Sequence, residues 1–158
     1  MPNVVHVRRY RPTDAESLVA MWHEVLPSSQ PWNDPQTALA RKVRQQDDLI
    51  FVAEKKAEVV GAVIAGYDGV RGWIYGLAVM PNHRKGGIGR LLIREAEAAL
   101  QALGCPKVNL QVRSTNSEVL EFYRRCGYEL EDRSSLGRVL SSVPNDQTPQ
   151  SNSQCHEL

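Results

Sequence analysis

Cysteine is scarce in this 158-residue chain: Cys105, Cys126 and Cys155 are all there is. An odd three do not make a disulfide framework, and their spacings match no zinc or redox motif, so reduced thiols and a cytoplasmic location are expected. His6, His23, His83 and His156 are scattered, so no metal site is expected. Long apolar runs are missing too; none approaches the ~20 residues of a membrane span. Nor is there an excess of either charge. Lys and Arg number 19 against 18 Asp and Glu, a net charge of +1, which gives no case for a nucleic-acid surface. Met1-Pro2-Asn3 leads straight into a strand-like segment, without the features of a signal peptide.

What is present suits a soluble globular protein with a single core: 42% hydrophobic residues and near-balanced charge. Residues 4–9 alternate apolar and polar and predict a first strand. Thr13-Asp14-Ala15-Glu16 reads as a capping box for a helix carrying Leu18, Val19, Met21, Trp22 and Val25 and stopping at Pro27. Asp34 before Pro35 predicts the start of a second helix, running to about Gln46 with Leu39 and Val43 inward. Residues 49–53 and 59–67 form a predicted hairpin, and Asp68-Gly69 turns the chain into a fourth strand over 72–80. Ile88, Leu91, Leu92, Ala96, Ala99, Leu100 and Leu103 fall at helical spacing, with Gly104 as the stop. A fifth strand is expected over 108–113, and Asn116 or Ser117 caps a last helix ending at Gly127. Residues 128–130 and 134–140 read as short closing strands. From Ser141 the composition turns to Ser, Pro, Asn, Gln and Thr, so one domain over 1–140 and a flexible polar tail over 141–158 are expected.

The chemistry concentrates between the fourth strand and the long helix. Residues 84–90 read Arg-Lys-Gly-Gly-Ile-Gly-Arg. Unpaired N–H groups at a helix start point outward with partial positive charge. Gly86, Gly87 and Gly89 keep side chains off that backbone, and Arg84, Lys85 and Arg90 add full positive charges. Such a turn can be mere decoration, but three glycines among three cations at a helix start favour a phosphate or pyrophosphate site. No Gly-x-x-x-x-Gly-Lys-Ser/Thr run exists, and Gly87-x-Gly89 lacks the third glycine of a dinucleotide fingerprint. What fits is Arg-x-x-Gly-x-Gly at Arg84, Gly87 and Gly89.

This loop resembles the acyl-CoA pyrophosphate loop of the GCN5-related N-acetyltransferase (GNAT) family, and the predicted order of elements is similar to that fold. The resemblance spans about residues 4–140. It implies an α/β architecture: a mixed, mostly antiparallel central sheet flanked by helices, with the fourth and fifth strands splayed to form a slot for CoA. It implies acetyl-CoA as cosubstrate, bound by Leu77, Ala78 and Val79 of the fourth strand, by the loop Arg84, Lys85, Gly86, Gly87, Ile88, Gly89 and Arg90, and by Asn116 and Tyr123. Asn116, Tyr123, Gly127 and Tyr128 match the family's Asn…Tyr-x-x-x-Gly-Phe/Tyr pattern. By that likeness Tyr123 lies beside the CoA sulfur and serves as general acid; on spacing alone it would be a core aromatic. A phenol suits a thiolate leaving group, since it can donate a proton or a hydrogen bond. A backbone N–H near residues 76–78 would hold the thioester oxygen, and Gly76 would mark a bulge.

The chain departs from the family pattern at the base. Many members carry a glutamate on the fourth or fifth strand; residues 72–80 hold no carboxylate, and Gln111 stands where N-terminal acetyltransferases of the ribosomal-protein type have glutamate. Asp68 is the nearest remaining candidate, against a plain turn-forming Asp-Gly; a water chain is the alternative. Pro31-Trp-Asn-Asp-Pro35, Gly66-Tyr-Asp-Gly-Val-Arg-Gly72, Gly104-Cys-Pro-Lys107 and Ser135-Leu-Gly-Arg138 look like the YpeA-like bacterial acetyltransferases. Trp32, Asn33, Asp34, Tyr67 and Asp68 are then expected to border the acceptor, with Trp32 as a cation-binding face and the two aspartates for an ammonium; a cap and a turn are the plainer reading. The expected activity is acetyl transfer to a small-molecule or peptide amine in a ternary complex, with no covalent cysteine. A catalytically inactive acyl-CoA-binding regulator is the other class, motivated by Gln111. Such folds commonly pair through closing strands, which leaves a homodimer open.

Overall fold

The computed structural model of the chain describes residues 4–140; the expected tail lies outside these. Strand β1 (His6–Arg9) leads through a short 3-10 turn into α1 (Ala15–Val25), and α2 (Pro35–Arg44) follows. Strands β2 (Ile50–Lys55), β3 (Glu58–Tyr67) and β4 (Gly72–Val79) run as a meander. Helix α3 (Ile88–Ala102) crosses to β5 (Val108–Leu110), and α4 (Ser117–Arg125) closes the series. The sheet order is β1-β2-β3-β4-β5, antiparallel except for the parallel β4–β5 pair. A parallel pair needs a crossover, which α3 supplies. Two compact units separate along the chain, the first ending at Tyr128 and the second beginning at Glu129.

The first unit buries both faces of its sheet. Successive side chains of a strand point to opposite faces. Accordingly Phe51 and Ala53 join α3's Ile88, Leu92, Ala96 and Leu100, whereas Ile50 and Val52 join Leu18, Met21 and Trp22 of α1 and Leu39 of α2. Ile74 and Ala78 of β4 are four residues apart and should share a face, yet they sit in opposite clusters. The register explains this. Ala62 lies opposite Ala78 and Ile64 opposite Tyr75, so two steps on β3 span three on β4. The extra residue is a β-bulge at Gly76, whose φ of +60° is in the left-handed region that glycine enters without steric cost.

Four expectations are corrected. Thr13 does not form a capping box: it lies in the 3-10 turn Pro12–Asp14, and the Asp14 carboxylate instead accepts from the Arg11 N–H at 2.7 Å and from Arg8 Nη1 and Nη2 at 2.8 and 2.9 Å. Val43 is exposed rather than inward. Strand β5 ends at Leu110 instead of Arg113, because pairing to β4 stops at Ile74–Leu110, just short of the bulge. The closing strands do not form: residues 129–140 carry no strand. That stretch has Leu130, Leu136, Val139 and Leu140 without a period-two pattern, and Leu136 is 95% exposed, so no sheet face is available to bury.

Candidate active site

The site is built where β4 and β5 part. Beyond Ile74, β4 keeps its ladder to β3 but none to β5, so the outer edge around Leu77, Ala78 and Val79 is open for another extended chain. The bulge is locked from beneath. The indole Nε1 of the buried Trp22 donates to the Gly76 carbonyl at 2.8 Å, and a Cβ on residue 76 would meet that indole nitrogen at 3.3 Å. Helical spacing had marked Trp22 as core; the sign of a further role is that a buried indole needs an acceptor.

At the end of β4 a 3-10 turn, Pro81–His83, delivers the chain to the glycine loop. Arg84 Nε donates to the Val79 carbonyl at 3.1 Å, which fixes the guanidinium at the end of the open edge. Lys85 takes φ of +64° and Gly87 φ of +84°. For a lysine that conformation costs about 1 kcal/mol or more. Gly87 is the N-cap of α3, and no side chain caps the helix. The first-turn N–H groups of Ile88, Gly89 and Arg90 are therefore offered outward, as an anion site requires. The three glycines meet different demands. Gly86 and Gly87 border open space, whereas a Cβ on Gly89 would come within 3.0 Å of Phe122 Cζ. Gly89 thus lets α4 pack onto the first turn of α3. Arg90 Nη2 donates to the Arg125 carbonyl at 2.9 Å, tying the same two helices together.

That packing fixes against α3 the turn of α4 that carries Tyr123. Its ring is buried between Phe122 and Tyr128, with centroids 5.1 and 5.6 Å away and edge-on planes at 71° and 72°. Tyr128 is itself anchored to α3, its hydroxyl donating to Glu97 Oε1 at 2.8 Å. Among the described residues no group hydrogen-bonds the Tyr123 hydroxyl, and it is not a buried orphan, so it opens to solvent. Burial pushes the Tyr123 phenol up to about 12, so it stays protonated at neutral pH. Asn116 caps α4 through Oδ1, which accepts the Val119 N–H at 3.3 Å; its side-chain NH2 is left over as a donor.

The expected acceptor-side residues form two groups. Trp32, Asn33 and Asp34 lie at the start of α2, with Trp32 half exposed and Asn33 Nδ2 donating to Ser28 Oγ at 3.3 Å. Asp34 caps α2, accepting the Thr37 N–H at 3.0 Å and its hydroxyl at 2.8 Å. Tyr67 and Asp68 lie at the β3–β4 turn. The Tyr67 hydroxyl donates to the Gly69 carbonyl at 3.2 Å, and Asp68 Oδ1 accepts the N–H groups of Val70 and Arg71 at 2.8 and 2.7 Å. No hydrogen bond joins the two groups among the described residues. Asp68 is exposed and Asp34 half-buried, and those N–H bonds hold their carboxyls below the usual range. They remain ionised at neutral pH and are weak bases. Two neighbouring rings were missed by sequence reasoning: Trp73 and Tyr75 of β4 stack with centroids 6.5 Å apart. Their signal was period-two spacing on a strand otherwise read as buried.

Comparison with known proteins agrees with this arrangement. Residues 16–128 match the Acetyltransferase (GNAT) family. An acetyltransferase of Sodalis glossinidius is 42% identical over 128 residues, covering 81% of this chain and 89% of that protein. An acetyltransferase of Pectobacterium atrosepticum is 41% identical over 136 residues, covering 86% and 96%. Among solved structures, the aminoglycoside N-acetyltransferase AAC(6')-Iy in complex with CoA superposes with a TM-score of 0.74 at 17% identity, over 88% of this chain and 97% of that one. Ard1 from Thermoplasma volcanium gives 0.72 at 23%, over 80% and 84%. Family match, sheet topology and glycine loop together place this chain in the GNAT family of acetyl-CoA-dependent acetyltransferases.

Proposed function

We propose that the chain transfers acetyl from acetyl-CoA to an acceptor amine by direct attack within a ternary complex. The observation that carries this reading is the open outer edge of β4 running into the uncapped, glycine-lined start of α3. Pantetheine adds to that edge as an extra strand, along Leu77, Ala78 and Val79. The pyrophosphate sits on the N–H groups of Gly87, Ile88, Gly89 and Arg90, flanked by Arg84 and Lys85. Asn116 donates to the pantetheine arm. A backbone N–H next to the bulge steadies the thioester oxygen as negative charge develops.

Tyr123 donates a hydrogen bond to the departing thiolate. A phenol near 12 facing a thiol whose ordinary pKa is about 8.5 keeps its proton, since full transfer would be uphill by roughly 3.5 units or about 5 kcal/mol. The proton that finally neutralises the thiolate then comes from the ammonium formed by attack. With β4 free of carboxylates and Asp68 committed to its turn, the acceptor loses its first proton to a water chain. Trp32, Asn33, Asp34, Tyr67 and Asp68 line the approach for an amine. Within the family, the Pro31-Trp-Asn-Asp-Pro35 and Gly66-Tyr-Asp-Gly strings support a YpeA-like assignment. Free Cys105 and Cys126 suit a reducing cytoplasm.

Isothermal titration with acetyl-CoA, CoA and ATP tests the cofactor site, using Gly86→Glu as the comparison. Residue 86 has only the His83 carbonyl near it, at 3.9 Å, so the added carboxylate repels phosphate without a steric clash. Acetyl-CoA binding is expected in the wild type and a drop of at least tenfold in the variant. Unaltered affinity would remove the loop from the site.

A further inference from the structure

We infer that the acceptor is a doubly cationic amine whose second ammonium is held by Asp68 against the stacked rings of Trp73 and Tyr75; this rests on the acetyl-transfer reading above. The two rings are two residues apart on β4, nearly parallel at 25°. Tyr75 lies opposite Ile64, which packs on the α1/α2 side of the sheet, so both rings line that side. Tyr75 is 55% exposed although it belongs to an inner strand. An aromatic left open there presents a π face to a ligand, and cations are what such faces attract. The next residue is Gly76, where Trp22 locks the bulge. The aromatic stack therefore leads directly to the place where the thioester is proposed to lie.

The other end of the stack is anionic. The Asp68 carboxylate is oriented by two backbone N–H groups and approached by Trp73. Lys42 Nζ lies over Gly66, opposite Trp73, but is paired with Asp47 Oδ2 at 2.5 Å. Arg71 directs Nη1 to the Val70 carbonyl at 3.0 Å. Asp68 takes part in no ion pair among the described residues, so its charge is available to a ligand. Three residues of strand, from Trp73 to Gly76, span about 10 Å. Because the Trp73 side chain reaches the Asp68 carboxylate, a flexible amine with two nitrogens about that far apart or somewhat more would have one end on Asp68 and the other at the thioester.

The test compares diaminohexane and diaminooctane with hexylamine and octylamine as acceptors, measuring CoA thiol release and titrating acetyl-CoA in the same preparations. The wild type is expected to favour each diamine over its monoamine at least tenfold in kcat/KM, mainly through KM. Asp68→Asn keeps an oxygen for the turn, and Tyr75→Leu keeps an apolar side chain on the strand; both should bring that ratio close to one while acetyl-CoA still binds. Equal use of diamines and monoamines by the wild type would overturn the inference. So would a preference that survives both substitutions, or binding of acetyl-CoA with no transfer to either series. Loss of acetyl-CoA binding by the wild type would instead bring down the acetyl-transfer reading itself.

Discussion

Replacing Tyr123 by Phe separates chemistry from folding at a single atom. The ring's edge-on contacts with Phe122 and Tyr128 survive the change, and the hydroxyl that is lost has no hydrogen-bond partner among the described residues. Stability should therefore stay within about 0.5 kcal/mol of wild type. Turnover should not. A hydrogen bond to a charged group is worth about 1.5–3 kcal/mol, which is roughly 10- to 150-fold in rate. If the bond forms as the thiolate develops, the loss falls on kcat, and acetyl-CoA affinity changes little. Because burial pushes the phenol up to about 12, Tyr123 titrates outside the working range, and wild type and variant should give pH–rate curves of the same shape. The assay is thiol release at saturating substrates, with isothermal titration and thermal melting of the same samples. A Phe variant within twofold of wild-type kcat would refute the role. A melt lowered by several degrees would show that the hydroxyl has a structural partner.

Two further predictions probe the base and the scaffold. Without a protein base, kcat/KM should rise with pH until the acceptor's own amine is neutral, so changing to an acceptor of lower pKa should move the limb down by the same amount; a limb fixed near pH 6–7 for every acceptor would reveal a protein base. Asp14→Asn breaks the two-pronged pair with Arg8 in a site where Asp14 is almost fully buried, and should cost about 2 kcal/mol, roughly 4–8 °C in Tm. The Arg8 guanidinium holds the Asp14 carboxyl below its usual range. Its stabilisation is thus complete above the unfolded value of about 3.9 and is lost as pH falls through the lower folded value. The Tm gap between wild type and variant should be constant near neutrality and narrow below about pH 4; a gap unchanged at pH 2 would contradict the assignment.

Much of the fold was legible because its signals are local. Alternation gave β1, two apolar runs around a charged turn gave the β2–β3 hairpin, helical spacing gave α3, and Asp34 and Asn116 cap the helices they precede. The misses are places where a partner distant in sequence decides. Residues 108–113 have the composition of a full strand, but β5 ends where β4 turns away, and nothing local to residue 111 encodes that. The Trp22–Gly76 bond joins positions 54 apart. A glycine inside a strand signals a bulge, and a tryptophan in a core helix signals an unmet donor; only the fold shows that each answers the other.

The glycine loop shows how far a motif can be read residue by residue. As a unit it was recognisable from composition, with glycines, cations and a helix start together. The division of labour within it was not. Gly87 is required by its backbone conformation, Gly89 by the closeness of Phe122, and Gly86 by neither. Arg84 and Arg90 looked equivalent as cations, yet one is fixed at the end of β4 and the other at the end of α4. These ties carry a functional consequence. Gly89 and Arg90 bring α4 onto the helix start, and α4 carries Tyr123. A side chain at residue 89 would push Phe122 away and Tyr123 with it, so the spacing that suits a pyrophosphate also sets the position of the phenol. If the loop and Tyr123 act as proposed, cofactor grip and leaving-group stabilisation are coupled through one packing contact, and substitutions at residue 89 should alter both together, whereas those at residue 86 alter the first alone.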